Sequence, residues 1–514
     1  MRSLSVAMTE STHELLRSHL LRADGQEDLC FVLYRPSTGS NRSTALIREV
    51  VLPSANERNV HGNASFNATY FLRALQLAED SECGLGLAHS HPAGSGWQGM
   101  SPDDVDAERA HAGQAWAVTD LPLLGLTLAG DDTWSARNWT RSGRMLYERH
   151  DCDSVRIIGE RLRVSRHPQR HATYSHDRRM IRTVSAWGEA AQQELSGLHV
   201  GIVGVGSVGM LVAEGLARTG IRKLTLLDFD SVQLHNLDRL AHATRLDATS
   251  ATSKVDVAKK ALEALAPVDD LEVRAIPLSI VELEGFMHAL DCDVLFSCVD
   301  RPWPRQLLDH AAFAHLIPVV DGGISVGAIP RFTRADWKVQ ISAPARRCLE
   351  CCGQYLPADV ALERSGDLDD PSYIEGLPHD HRLRASENVY AFSANLASLE
   401  VLQFLLMVIA PLGMSDVGEW NFHFVNGRMD VAEGAPCEDY CVNRTLVADG
   451  DRAPSPTAEH PAAERERSRR ASMQDATPTP DAGEPNSLPD RFRRGLWQKL
   501  PALLRARLGA RSDA

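Results

Sequence analysis

The chain lacks the features that mark nucleic-acid-binding, secreted and membrane proteins. Its 54 lysine and arginine residues stand against 68 aspartate and glutamate residues, and the formal net charge of −14 argues against a general nucleic-acid binder. The first residues do not combine a basic segment with a long apolar core, so we expect no signal peptide. No run of 18 apolar residues occurs, and the apolar segment 402–412 is short and contains a proline. We therefore expect a soluble, cytoplasmic protein.

Cysteine is not arranged as in a disulfide-rich secreted domain either. The 10 cysteines are scattered or paired at the spacing of metal ligands, which does not indicate a disulfide framework. Hydrophobic residues make up 43% of the 514 positions, which is enough for sizeable cores. The length favours two or three domains.

The chain is organised around a glycine-rich loop between two predicted strands, 199–203 and 223–227. The loop has three glycines in G-x-G-x-x-G spacing, Gly204, Gly206 and Gly209. Glycines let the backbone turn tightly and approach a phosphate, while the free N–H groups and the dipole of the following helix favour an anion. The pattern predicts a βαβ unit that binds a nucleotide.

The residues after the second predicted strand separate two kinds of nucleotide enzyme. An NAD site has the same glycines and an acidic residue about 20 positions further on, where Asp228 fits. The next positions read D-x-D-x-V-x-x-x-N-L-x-R and include Asp230, Asn236 and Arg239. An NAD enzyme has no need for this asparagine and arginine, whereas Arg239 can neutralise phosphate charge and Asn236 can bond the nucleotide. With Asp228 on the ribose hydroxyls, the pattern favours an enzyme that holds a nucleoside triphosphate.

This pattern resembles the ThiF/MoeB family of ubiquitin-activating-type adenylyltransferases, and the resemblance runs from about residue 174 to 441. It implies that Lys254 contacts the phosphates of ATP and that Asp300, at the end of a predicted strand, holds Mg²⁺. It also implies that Arg178 reaches the phosphates of a neighbouring protomer, so we expect a homodimer. Arg179 is the alternative, and a plain surface arginine pair is the other interpretation.

A second constellation lies in the N-terminal part of the chain, at the end of the predicted strand 84–88. His89 and His91 follow that strand, and side chains at i and i+2 share one face, so both imidazoles can meet one ion. Asp104 comes after a loop and can complete a three-ligand zinc site with one position open for water. The alternative is that the two histidines are polar residues at a strand end with no metal.

The pattern H-x-H-P…S-x-x-D resembles the JAB/MPN metalloproteases, which remove ubiquitin-like modifiers. The resemblance implies a catalytic zinc on the two histidines and Asp104, with Glu27 as the general base for zinc-bound water. It also implies that Ser101 helps to stabilise the oxyanion. Glu49 and Glu57 also lie upstream and are alternatives to Glu27.

The loop between the second histidine and Ser101 departs from that resemblance. Nine residues separate the two, which is two more than the usual spacing of the family. Since the loop 93–100 is rich in glycine, we expect the insertion to bulge outward.

Two cysteine pairs late in the chain indicate a second metal site. The pairs are C-x-x-C and C-x-x-x-C, formed by Cys348 with Cys351 and by Cys437 with Cys441. Four thiolates suit a tetrahedral structural zinc, and the ThiF family places a zinc clip here. Cys352 can replace Cys351 in the set, or it can be reactive.

The crossover segment 353–385 contains no cysteine. Relatives that carry the modifier as a thioester usually have one there. We therefore expect a free acyl-adenylate as the product, which passes to an external thiol or amine.

The expected fold class is α/β with two domains. An N-terminal α+β domain of the JAB/MPN type is predicted over 1–150, a linker over 151–175 and a Rossmann-like, mostly parallel-sheet ThiF-type domain over 176–449. A disordered tail is predicted over 450–514, because residues 450–489 are rich in proline, alanine, serine and charge. Within this tail, a basic amphipathic helix is predicted at 491–511, either in contact with anionic lipid or a partner or as a solvated tail helix.

The expected function combines two reactions on one small ubiquitin-like protein with a Gly-Gly end. The zinc peptidase trims or removes that modifier, and the second domain adenylates its carboxylate, for use by a conjugating enzyme. The cofactors are ATP, Mg²⁺ and two zinc ions, one catalytic and one structural. One alternative is the activation of a sulfur-carrier protein for thiocarboxylate formation. The other is a non-catalytic, modifier-binding scaffold, against which the intact ligand sets argue.

Overall fold

The fold is built on two large β-sheets, one from each half of the chain. The structure is a computed structural model, and it describes residues 2–61, 63–170, 178–327, 334–369, 388–414, 416, 418–432 and 434–476. The described residues up to Ser468 form one compact unit that contains both sheets.

The N-terminal half is an α+β arrangement with a nine-stranded sheet. Its strands are β1 (Ser3–Thr9), β2 (Leu29–Thr38), β3 (Arg42–Val51), β4 (Arg58–His61), β5 (Asn63–Phe66), β6 (Gly84–His91), β7 (Leu123–Ala129), β8 (Trp134–Gly143), β9 (Leu146–Asp151), β10 (Ser154–Ile158) and β11 (Leu162–Arg166). Its helices are α1 (Glu10–Leu20), α2 (Ala68–Asp80) and α3 (Pro102–Thr119). The sheet order is β11-β10-β1-β3-β2-β6-β7-β8-β9, and β4 pairs with β5 in a separate hairpin.

The prediction of a linker over 151–175 is wrong for most of residues 151–170, the part of this segment that the structure describes. Strands β10 and β11 lie in this segment, and β10 pairs in parallel with β1. Strand β1 lies inside the sheet, between β10 and β3, and the sequence analysis did not predict it either. The charged residues of this segment suggest a solvated linker. However, the guanidinium of Arg156 is fully buried, 3.7 Å from the carboxylate of Asp293. Residues 171–175 lie outside the described residues.

The C-terminal half is a Rossmann-like arrangement around an eight-stranded sheet. Its strands are β12 (His199–Val203), β13 (Lys223–Leu227), β14 (Glu272–Ile276), β15 (Val294–Ser297), β16 (Val319–Gly327), β17 (Arg334–Ser342), β18 (Glu419–His423) and β19 (Arg428–Ala432). Its helices are α4 (Ile181–Ser196), α5 (Ser207–Arg218), α6 (Arg245–Thr249), α7 (Lys254–Leu265), α8 (Leu283–Ala289), α9 (Pro302–Ala314), α10 (Pro357–Ser365), α11 (Tyr390–Ile409) and α12 (Pro461–Ala476). The order is β14-β13-β12-β15-β16-β17-β18-β19, parallel through β16 and antiparallel beyond it.

Helix α11 is the one helix among the described residues that is long and apolar enough to cross a membrane by length and composition alone. It packs against α5, β16 and β17, and 61% of its most apolar window is buried inside the fold. It also carries three buried polar side chains, Ser393, Glu400 and Gln403. This is the placement of a core helix.

A buried ion-pair network joins the two halves. The Arg42 guanidinium lies 2.6 Å from the Asp293 carboxylate, and Asp291 accepts hydrogen bonds from the backbone N–H groups of Asn41 and Arg42. Removing one partner of a buried ion pair typically costs about 3–5 kcal/mol. The network therefore fixes the start of β3 in the first sheet against the residues that precede β15 in the second.

The predicted disorder from residue 450 onward is wrong up to residue 476. A 3-10 turn at Gly450–Arg452 and helix α12 lie there, and His460 and Ala463 are buried. Composition misled the prediction, because this segment is held by specific hydrogen bonds and not by a large apolar content of its own. For example, Asp451 accepts hydrogen bonds from both the backbone N–H and the hydroxyl of Thr38. The predicted basic helix 491–511 lies outside the described residues.

Candidate functional sites

The glycine loop joins β12 to α5, and each of its glycines has a separate role. Gly204 has a φ of 86°, and a Cβ there would lie 2.5 Å from the carbonyl oxygen of Cys298. A Cβ on Gly209 would lie 1.9 Å from the carbonyl oxygen of Gly204. Beside Gly206, by contrast, the space is open, at the N-terminus of α5. The loop thus has a tight turn and an open helix N-terminus, which suit an anion.

The second element of this site is the nucleotide loop, residues 228–232, which follows β13. The Asp228 carboxylate accepts hydrogen bonds from the N–H groups of Val205 (2.7 Å) and Asp230 (2.8 Å), so it links the glycine loop to its own turn. The Asp230 carboxylate lies 2.6 Å from Nζ of Lys254, at the start of α7. Burial alone would lower the pKa of Lys254, but the carboxylates of Asp228 and Asp230 raise it above its ordinary value. Lys254 therefore stays charged.

The sequence also predicts three further residues of this site, Asp300, Asn236 and Arg239. Asp300 follows β15, and since β12, β13 and β15 are parallel neighbours, their carboxyl ends meet at one edge of the sheet. Its charge also contributes to the raised pKa of Lys254. Asn236 accepts a hydrogen bond from the N–H of Gln233, and Arg239 donates to the carbonyl of His235. The structure ties the last two side chains to their own turn, and their role toward a nucleotide stays a prediction.

The predicted arginine pair precedes α4. Arg178 begins the 3-10 turn Arg178–Met180 and is exposed, while Arg179 pairs with Asp269 at 2.8 Å. Arg179 is thus engaged on the surface of its own protomer. Arg178 stays the prediction for the contact with a second protomer.

His89 and His91 point their Nε2 atoms at a common position. These atoms lie 3.3 Å apart, and the Asp104 carboxylate lies 3.9 Å from the first and 3.8 Å from the second. Two nitrogens bound to zinc at about 2.0–2.1 Å in tetrahedral geometry would lie about 3.3 Å apart. Burial lowers the pKa of His89 to about 3, which keeps this imidazole neutral, as metal ligation requires. The donor set therefore fits one zinc ion.

Gln98, which the sequence analysis did not single out, fixes the orientation of His91. Its amide nitrogen donates to the carbonyls of Ser95 and Gly96, each at 2.9 Å, so its oxygen must face the ring. That oxygen lies 3.4 Å from Nδ1 of His91. A neutral His91 ring then carries its proton on Nδ1, which leaves the lone pair of Nε2 for the metal position. Gln98 lies in the glycine-rich loop 93–100, so this loop packs back on the site and does not only bulge outward.

Glu27 lies next to the histidines because of the strand register. Leu29 of β2 pairs with His89 of β6, so antiparallel continuation puts Glu27 opposite His91, and the Asp28 N–H donates to Ser90. Burial raises the pKa of Glu27, with an opposing effect from His91.

The two alternatives to Glu27 lie elsewhere. Glu57 is paired with Arg73, at 3.0 Å from its Nε, and Glu49 is exposed on β3, opposite Leu33 of β2. The geometry therefore favours Glu27 among the three glutamates.

Ser101 is the N-cap residue of α3. Its hydroxyl accepts from the Asp104 N–H (3.1 Å) and donates to the Asp104 carboxylate (2.8 Å), as in a capping box. The S-x-x-D pattern predicts this role from sequence alone, and the sequence analysis missed it. In the structure the hydroxyl proton orients Asp104, and the role of Ser101 toward an oxyanion stays a prediction.

A buried ion pair supports His89 from behind. Glu108, one helical turn after Asp104, pairs with Arg137 of β8, and both side chains are almost fully buried. Arg137 donates to the hydroxyl of Thr127 at 2.5 Å, and that hydroxyl lies 3.4 Å from Nε2 of His89. The network connects α3, β7 and β8 to the histidine.

The two cysteine pairs converge. Their four Sγ atoms all lie within 4.8 Å of one another, and those of Cys348 and Cys441 are 3.6 Å apart. Tetrahedral zinc with Zn–S of about 2.3 Å separates two sulfurs by about 3.8 Å. The other two cysteines of this cluster are Cys351 and Cys437, so Cys352 does not replace Cys351. Four thiols at this spacing fit a structural zinc.

Comparison with known proteins identifies the C-terminal half. The model of the ThiF family matches residues 177–434, which is just over half of the chain. This chain belongs to the ThiF family. The molybdopterin-synthase adenylyltransferase of Escherichia coli K12 is 33% identical over 162 residues, which cover 31% of this chain and 61% of that protein.

Further ThiF relatives are ubiquitin-like modifier-activating enzymes 5. The protein from Branchiostoma floridae is 32% identical over 32% of this chain and 43% of its own length. The one from Drosophila mojavensis is 31% identical over 48% of this chain and 59% of its own length. The chain thus spans about two to three fifths of the length of these curated relatives.

Among solved structures, E. coli MccB with ATP matches 52% of this chain and 74% of its own, at 16% identity and a TM-score of 0.40. The matched ThiF segment begins after the N-terminal sheet. The JAB/MPN resemblance of that sheet therefore stays a prediction from its motif.

Proposed function

We propose that the chain uses ATP to adenylate the C-terminal carboxylate of a small ubiquitin-like protein ending in Gly-Gly. The observation that carries the proposal is the convergence of Gly206, Asp228, Lys254 and Asp300 at the carboxyl edge of the parallel sheet. The open N-terminus of α5 suits a phosphate, and Lys254 supplies positive charge beside it. Asp300 would hold Mg²⁺, which prefers carboxylate oxygen and phosphate ligands. The matched ThiF relatives support this assignment.

The relatives leave two substrate classes open. The E. coli relative is by name an adenylyltransferase of molybdopterin synthase, and the animal relatives activate a ubiquitin-like modifier. The corresponding alternative is the activation of a sulfur-carrier protein. A homodimer completed by Arg178 and the use of a conjugating enzyme belong to the same proposal.

The test of the nucleotide site is exchange of pyrophosphate into ATP that depends on the modifier. Asp300→Ala removes the Mg²⁺ ligand and should reduce exchange by at least 100-fold, since it takes charge stabilisation from the reacting phosphates. Asp367→Ala, at a partly exposed aspartate just after α10 whose hydrogen bond is local to Ser365, is the control and should exchange like the wild type. Wild-type activity in Asp300→Ala would show that the nucleotide lies elsewhere. NAD binding with hydride transfer would restore the dehydrogenase interpretation.

We further propose that the N-terminal half is a zinc peptidase that acts on the same modifier. The observation behind this second function is the 3.3 Å approach of the two histidine Nε2 atoms beside Asp104 and Glu27. Zinc bound to these residues would lower the pKa of a water molecule at the site. Glu27 would take the proton of that water, and Asp104, oriented by Ser101, would complete the ligand set. A non-catalytic, modifier-binding scaffold would need neither the nucleotide site nor this histidine site.

Metal content and cleavage test the peptidase. Purified protein should hold about two zinc ions per chain, given the two donor sets. His91→Ala should remove one ion and abolish cleavage of a modifier fusion, while pyrophosphate exchange persists. Unchanged metal content in this variant would refute the catalytic zinc site. Glu27→Gln should keep both zinc ions and lose cleavage, which separates the base from the ligands.

A further inference from the structure

The segment C-terminal to the matched ThiF region, residues 456–466, reaches the nucleotide loop. We call it the strap. The Trp303 indole donates to the carbonyl of Pro456 at 3.1 Å, and the Ala458 N–H donates to the carbonyl of Val281 at 2.9 Å. The imidazole of His460 is buried, with its ring centre 5.0 Å from that of Phe229 in the nucleotide loop. The strap is thus anchored on α9 and behind the nucleotide loop.

The end of the strap holds the turn of the nucleotide loop. The carboxylate of Glu466 accepts a hydrogen bond from the backbone N–H of Ser231 at 3.2 Å, and both residues are buried. Ser231 follows Asp230, whose carbonyl accepts from the N–H of Lys254 and whose carboxylate pairs with its Nζ. Ser231 also forms a bridge with Ser253, directly before Lys254. The Glu466 contact therefore fixes the turn that aims Asp230 at the lysine.

Ion pairs on both sides of Glu466 hold it in place. Arg467 donates to both carboxylate oxygens of Glu282, each at 2.8 Å, and Arg465 pairs with Asp369 at 2.6 Å. Asp369 also pairs with Arg301, the residue after Asp300. Together with the Glu466–Ser231 contact, these ion pairs connect one helical turn to the loops after β13 and β15, which carry the predicted ligands of ATP and Mg²⁺.

We propose that the strap positions the nucleotide loop for ATP and that Glu466 is its positioning residue, an inference that rests on the proposed use of ATP. Glu466 lies outside the segment that the family model matches. It acts through the backbone of Ser231 and does not itself contact the nucleotide. Without it, the buried Ser231 N–H loses its carboxylate acceptor, and the turn that carries Asp230 is free to move.

The test compares Glu466→Ala with Glu466→Gln and Glu464→Ala in the full chain. Glu464 lies on the same helix, is exposed and pairs only locally with Arg467, so its variant is the matched control. In Glu466→Ala the Kd and KM for MgATP should rise about tenfold, equivalent to about 1.4 kcal/mol, while kcat changes less. Glu466→Gln keeps an oxygen acceptor and should bind within about threefold of wild type. Glu464→Ala should bind like the wild type.

Hydrogen exchange at the Ser231 amide gives a readout that needs no nucleotide. Exchange should accelerate at least tenfold in Glu466→Ala and stay unchanged in Glu464→Ala. Unchanged exchange and unchanged ATP affinity in folded Glu466→Ala would refute the strap, as would an equal loss in Glu464→Ala. If wild type does not bind ATP, the proposed function fails, and amide exchange alone still decides whether the strap holds the loop. If Glu466→Ala does not fold, the shorter Glu466→Asp takes its place, with the same expected direction.

Discussion

Replacing Gln98 by leucine tests the geometry of the histidine site directly. The side chain keeps its approximate size but loses the oxygen that accepts from Nδ1 of His91, so the ring can adopt the tautomer with a protonated Nε2. Loss of such an outer partner typically lowers metal affinity by about 10- to 100-fold, or about 1.4–2.7 kcal/mol. Because the observed contact is long, at 3.4 Å, we expect the lower end of that range.

The assay is zinc retention against a chelator, followed by mass spectrometry of the intact protein. The four-cysteine cluster provides an internal reference, since Gln98→Leu should release only one zinc ion more readily. Gln98→Glu loses the donors to Ser95 and Gly96 but keeps an acceptor for Nδ1 of His91. Because of that acceptor, the variant should retain zinc at least as well as wild type. Gln76→Leu, at an exposed position of α2, is the control. Equal zinc affinity of Gln98→Leu and wild type would refute the tautomer assignment.

Three further predictions concern other buried or partly buried side chains. Cys437→Ser should lose the structural zinc and lower the melting temperature, because coordination ties the two distant cysteine pairs together; an unchanged zinc content would contradict this. Arg137→Met leaves the Glu108 carboxylate buried and unpaired, so denaturant unfolding should show a loss of about 3–5 kcal/mol, and a loss below about 1 kcal/mol would contradict the pairing. Burial raises the pKa of Cys352 to about 12, so wild type with ATP and modifier should form no reductant-sensitive adduct. An adduct that vanishes in Cys352→Ala would make this thiol the nucleophile.

Local patterns determined the parts of this protein that depend on neighbouring residues. The strands His199–Val203 and Lys223–Leu227 agree with their predicted bounds, because short apolar runs flanked by a glycine loop carry their own signal. The same holds for the proposed donor sets. The spacing of His89 and His91 on one strand face, and of Cys348 and Cys351 in one turn, brings their side chains together in almost any context.

Tertiary structure decided what depends on residues far apart in the chain. The register of β2 on β6 places Glu27, and not the two other glutamates, beside the histidines. The folded chain also brings Cys441 close to Cys348, in a four-cysteine cluster that contains Cys351 and not Cys352. Charge misled the sequence analysis in segments 151–170 and 450–468, since it is typical of solvated chain. In the folded protein, these charges meet partners more than 100 residues away, such as Asp293 for Arg156 and the Ser231 N–H for Glu466. No local pattern contains such a partner, so only the packed structure shows that these segments are ordered.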